Sequence, residues 1–167
     1  MSRVARVHRF AAALALTAAT LLVAGNLQAG EKKNFTTHLK GRNENPPVQT
    51  LAQGQAIFKL KAGGAELHYK LIVANIEDVM MAHIHLGFAD ENGPVAVWLY
   101  PDAAPPQLIP GRFDGVLAEG VITDASIVPG VPLTSLADLV DVIRAGGAYV
   151  NVHTSVNPSG EIRGQIR

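Results

Sequence analysis

The chain of 167 residues has no cysteine, only 5% aromatic residues, and no excess charge of either sign, with 14 basic residues against 14 acidic ones. The missing cysteines exclude a disulfide scaffold, thiolate metal sites and cysteine nucleophiles. Any metal would have to be held by histidine, carboxylate or backbone oxygen. No G-x-S-x-G elbow, glycine-rich phosphate loop, internal repeat or low-complexity tract occurs, so the usual hydrolase and nucleotide chemistries have no residues to stand on.

What is present begins with a distinct leader. "MSRVARVHRF" carries Arg3, Arg6 and Arg9, "AAALALTAATLLVAG" is an apolar run, and "NLQA" offers a small-residue exit after Ala29. A basic start, a short apolar segment and a small-residue exit predict a secretory signal peptide over residues 1–29. The alternative, a retained anchor, needs about 20 apolar residues to span a bilayer. This segment falls short of that. The expected product is a periplasmic or secreted domain over residues 30–167, a length that suits one core. Cleavage removes three arginines and no acid, leaving 11 basic against 14 acidic residues. Such a balance does not suit nucleic acid, which rewards clustered Lys and Arg.

Short alternating segments dominate the rest. Phe35–Leu39 reads as a strand, and Asn43, Asn45, Pro46 and Pro47 then form a loop. Ala56, Phe58 and Leu60 lead into "AGG", and Leu67, Tyr69, Leu71 and Val73 return at period two, which predicts a hairpin. "VMMAHIHLG" and "PVAVWLY" form a second pair around "DENGP", where Asn-Gly is a strong turn signal. "GRFDGVLAEGVIT", "AYVNVHT" and, after the turn "NPSG", "EIRGQIR" supply further strands. Only "TSLADLVDVIRAGG" reads as helix. Thr134 or Ser135 can cap it, Leu136, Leu139, Val140 and Ile143 form its apolar stripe, and Gly146 stops it. The pattern predicts an all-β, antiparallel sandwich or barrel of seven or eight strands, with one short helix near residues 135–144.

Alternation also sorts the histidines. In "AHIHL", Ile84 takes one face while His83 and His85 take the other. In "YVNVHT", Val150 and Val152 point inward, and Tyr149, Asn151 and His153 share the opposite face. All three histidines are therefore expected on sheet surfaces, away from the core. Residues i and i+2 lie roughly 6.5–7 Å apart on a strand, and metal–nitrogen bonds are about 2 Å, so two such rings can close on one ion. A third histidine from a neighbouring strand completes a site suited to copper or zinc. An H-x-H pair on a solvent face is equally a plain polar strand edge. Affinity at such a site would fall as pH drops through about 6.5, the ordinary histidine value. His68, between Glu66 and Lys70, reads as a solvated face, His38 has no partner in sequence, and His8 leaves with the leader. Glu161, Arg163 and Gln165 share a strand face, where Glu161 and Arg163 can form a surface ion pair.

Three blocks in order resemble the CHRD (chordin-type) domain family over nearly all of residues 30–167. They are "FTTHLKGRNENPPVQTLAQGQAIFKL", "AHIHLGFADENGPVAVWLY" and "GGAYVNVHTSVNPSGEIRGQIR". The resemblance implies an extracellular or exported domain. It carries no growth-factor partner, because the cysteine-rich repeats of animal family members are missing. A weaker likeness is to the copper half of copper–zinc superoxide dismutases, on which His83, His85 and His153 match copper-ligand positions of a Greek-key β-sandwich. The ligand shared by copper and zinc, the zinc cluster and the disulfide have no counterpart here. That likeness implies one mononuclear copper site, with zinc as alternative, and no dismutase turnover. Two functions remain in view. One is an exported, non-catalytic metal-handling protein of the cell envelope. The other is a protein- or polysaccharide-binding module whose histidines are incidental.

Overall fold

Alternating burial runs through the first two strands of the computed structural model, which describes residues 31–167. The expected signal peptide lies outside the described residues. In β1 (Asn34–Lys40), Phe35, Thr37 and Leu39 are buried and their neighbours exposed. In β2 (Gln53–Leu60), Ala56, Phe58 and Leu60 face the same core. β3 follows as Leu67–Leu86, β4 as Val95–Tyr100, β5 as Ile109–Ile122, β6 as Ala148–Thr154 and β7 as Ile162–Gln165. All pairings are antiparallel, in the order β2-β1-β7-β6-β3-β4 with β5 also on β3. Contact between β2 and β3 closes the path into a barrel, in which β1 meets β7 at Lys40 and Arg163. The seven strands and the closed antiparallel arrangement agree with the sequence pattern.

One expectation changes. The segments read as two strands, around Leu67–Val73 and around "VMMAHIHLG", are a single strand of 20 residues. Asn75 and Asp78 stand between them with φ of 55° and 52°. Asn and Asp enter the left-handed region more readily than other side-chain-bearing residues, so the strand bulges and shifts register without ending. Asp114 Oδ1 accepts from the Asn75 N–H and Asp78 Oδ1 from the Gly111 N–H, both at 2.7 Å, which fastens the bulges to β5. Beyond them β3 turns its second half to new partners, β4 on Ala82–His85 and β6 on Val79–Leu86.

Helix α1 (Leu136–Arg144) starts where its cap requires. Ser135 accepts from the Asp138 N–H, and Asp138 accepts in return from the Ser135 N–H. Leu136, Leu139, Val140 and Ile143 are buried. Gly146, at φ 76°, closes the helix in a left-handed turn, with Gly146 N–H donating to Ile143 O and Gly147 N–H to Val142 O. The helix delivers the chain directly into β6.

Candidate metal centre

Strand register brings the three histidines together. His83 and His85 on β3 stand opposite Asn151 and Tyr149 of β6, and Met81 stands opposite His153. With two-residue alternation, His83, His85, Tyr149, Asn151 and His153 share the barrel's outer face. Their inward neighbours Ile84, Val150 and Val152 are fully buried in the core. One nitrogen from each of His83, His85 and His153 lies within 4.8 Å of the others.

The expectation that these rings meet solvent is wrong. His83 is 2%, His85 9% and His153 5% exposed. Alternation places them off the core, but chain from outside the strands covers them. Gly93 O, in the loop between β3 and β4, accepts from His85 Nδ1 at 2.9 Å. Pro158 O, in the turn before β7, accepts from His153 Nδ1 at 3.0 Å. Trp98 of β4 meets the His83 ring edge-on at 4.2 Å between centroids.

Those two carbonyls decide the chemistry of the rings. A carbonyl can only accept, so Nδ1 of His85 and of His153 carries the proton and Nε2 keeps its lone pair. His153 Nε2 then accepts from His83 Nδ1, 3.1 Å away. His83 Nε2 and His85 Nε2 are buried with no hydrogen-bond partner among the described residues. A carbonyl holding the far nitrogen of a ring is the outer-shell arrangement that orients metal-binding imidazoles. Unpartnered buried nitrogens, neutral rings and mutual proximity fit a copper or zinc ion, and all three residues can hold it. Such an ion would supply a positive charge to these lone pairs.

Burial, reinforced by the neighbouring imidazoles of His153 and His85, holds the pKa of His83 down at about 3. Burial likewise holds His153 at about 4, against the opposing pull of its bond to Pro158 O. His85 is lowered for the same first reason, partly offset by Gly93 O. All three rings are therefore neutral and ligand-ready at neutral pH, and His83 and His153 remain so well below it.

A second polar layer backs the rings. The Tyr149 ring stacks on His85 at 5.0 Å and 7°, and the Arg163 guanidinium lies 3.4 Å from the centroid of Tyr149. Arg163 donates to Asn92 Oδ1, Phe88 O and Glu91 O, tying down the loop that covers His85. Glu44 accepts from Asn151 Nδ2 at 2.9 and 3.0 Å. Burial raises its pKa to about 7, although Arg163 and Asn151 pull the other way.

The anticipated Glu161–Arg163 ion pair does not form. Glu161 accepts instead from Thr50 Oγ1, Thr154 Oγ1 and Asn157 Nδ2. His68 stays at the surface beside Glu66 at 2.9 Å, and His38 is exposed on β1. Sequence reasoning gave no role to Glu44, Trp98 or the Arg163 clamp. Glu44 lies in the "NENPP" segment of the first CHRD-like block, which was its one available signal.

The fold and the site define a closed antiparallel β-barrel bearing a buried three-histidine cluster outside its apolar core. The chain belongs to the CHRD domain family, whose pattern it matches over residues 35–166. It is 34% identical over 134 residues to Chordin of Xenopus laevis and 33% identical over 136 residues to Chordin of Danio rerio. Each alignment covers 77% of this chain but only 12% of the relative. No solved structure matches the chain.

Proposed function

We propose that this CHRD domain binds a single copper ion, with zinc as the alternative, through His83, His85 and His153, in a non-catalytic metal-handling role in the cell envelope. One observation carries the reading: three buried neutral imidazoles converge to within 4.8 Å, and two of their nitrogens have no other partner among the described residues. Leaving such groups unsatisfied costs about 1–3 kcal/mol each, a cost that a bound cation would offset. Titration with copper and zinc, under air and anaerobically, read by calorimetry and spin resonance, tests it. The expected result is one ion per chain with nitrogen ligation. Equal binding by wild type and the His83→Ala/His85→Ala double variant would remove the histidines from the site.

The leader motivates the envelope placement. Protein recovered from its host should begin near Gly30, and a membrane-bound form beginning at Met1 or Ser2 would end that part of the reading. Among the described residues no helix is long and apolar enough to cross a membrane.

The likeness to Chordin favours a second reading, a module that contacts a protein or polysaccharide. It does not compete for the same residues, because the histidines are covered and a docking surface must lie elsewhere.

A further inference from the structure

The outer seam between β1 and β7 holds a cavity of about 300 Å³ whose walls include His38, Arg42, Asn43, Asp90, Arg163 and Gln165. We propose that this cavity binds the carboxylate and ring hydroxyls of a uronic acid residue in an acidic polysaccharide. The proposal names a ligand class for the binding-module reading and rests on that reading, independently of the metal.

Charge is the first reason. Arg163 is 2% exposed, yet every acceptor it bonds is neutral, two backbone carbonyls and one amide oxygen. The one carboxyl among the described residues that feels its charge is Glu44, whose pKa of about 7 leaves it only partly ionised at neutral pH, so the buried cation is incompletely compensated and an incoming anion offsets that cost. At the rim, neither the Arg42 guanidinium nor the His38 ring has a hydrogen-bond or ion-pair partner among the described residues, so both are free to donate. A planar guanidinium fork matches a carboxylate.

The acid in the wall is the second reason. Asp90 disfavours a dianion such as phosphate but offers an acceptor for hydroxyls. A ligand with one negative charge and several hydroxyls meets both demands. Shape is the third. The volume lies at the lower end of the roughly 300–1,000 Å³ range of small-ligand pockets, enough for a sugar residue and too small for a large cofactor. A peptide could not add as a strand here, because β1 and β7 face each other across the seam, with Thr36 and Arg167 exchanging both backbone hydrogen bonds.

The test uses the full chain as its host produces it, titrated by calorimetry with oligogalacturonate, oligoglucuronate, neutral gluco-oligosaccharide, polyglutamate and inorganic phosphate. A uronate oligomer should bind with a dissociation constant of about 1 mM or tighter and weaken with salt, while the neutral sugar shows no heat. Arg42→Gln should weaken uronate binding at least about tenfold without changing the melting temperature, because that side chain is exposed and unpartnered. Polyglutamate or phosphate binding as tightly as uronate would overturn the assignment, as would wild-type uronate affinity in Arg42→Gln. Failure of both uronates alongside intact copper binding overturns this site and leaves the metal reading standing. Loss of copper binding with uronate binding intact does the reverse.

Discussion

Nδ1 of His83 lies 3.1 Å from Nε2 of His153, a direct contact between neutral rings 70 positions apart in the chain. Because both rings are already neutral at neutral pH and His83 Nε2 carries no proton, an entering ion has no proton to displace and only the His83–His153 hydrogen bond to give up, which frees His153 Nε2 to ligate. Copper binding should therefore release close to no proton at pH 7, and the contributions of His83 and His153 to affinity should stay flat well below 6.5. It should fall as pH approaches about 4, where His153 begins to charge. Calorimetry in two buffers of different ionisation enthalpy checks the proton count. A midpoint near 6.5 would mean that the rings are solvated.

His153→Ala should abolish metal binding and also destabilise the metal-free protein. The change leaves His83 Nδ1 and Pro158 O without their partner, at about 1–3 kcal/mol. His68→Ala should alter neither, since that ring is exposed beside Glu66. Urea melts with and without copper separate the two variants.

Metal-free stability should depend on pH with opposing contributions. The histidines have folded values below the unfolded 6.5, so between 6.5 and about 3–4 the unfolded chain binds more protons. Their contribution is complete above 6.5 and is lost as pH falls through that window. Glu44 runs the other way. Its folded value of about 7 exceeds the unfolded 4.5, so its contribution is present below 4.5 and is lost as pH rises towards 7. Three histidines outweigh one carboxyl, so stability should climb from pH 4.5 to 6.5. Glu44→Gln should steepen that climb and remove any decline between 6.5 and 7. Denaturation midpoints measured across pH 4–8 would show both effects.

Gly164→Ala should be far more damaging than Gly63→Ala. A Cβ on Gly164 would sit 2.2 Å from Thr37 Oγ1 and 2.4 Å from the His38 carbonyl oxygen, forcing β1 and β7 apart. We expect a loss of at least about 2 kcal/mol. Gly63 has open space around it and only the backbone penalty of φ 91°, about 1 kcal/mol. Thermal melts of the two variants check the order.

Much of the fold could be read from local pattern. Ser135, the stripe through Ile143, and Gly146 marked the helix because caps and periodicity are near-neighbour effects. The facing of His83, His85 and His153 was legible from alternation, since parity is fixed by the strand itself. Their burial was not. Parity says which face a side chain takes but not what covers that face, and much of the cover here comes from the chain at Gly93 and Pro158, in polar segments that look solvated. The unity of β3 was hidden because Asn75 and Asp78 interrupt alternation as a turn would, although they only bulge the strand. Glu161 and Arg163 do share sequence parity, yet partners from elsewhere in the chain outcompete their pairing: Thr154 engages Glu161 just before β7, and the loop carbonyls engage Arg163 on it.

The 20-residue β3 carries a kinetic consequence. Its first half is pinned between β2 and β5 and its second between β4 and β6. No neighbouring strand can peel away alone and expose it from both edges. Amide exchange at His83 and His85 should then report whole-molecule unfolding, while amides of the covering loop exchange through local opening. An ion reaching His85 past Gly93 would need only that loop to open, and its residence time would then follow the loop's opening rate and not the much slower unfolding of the barrel.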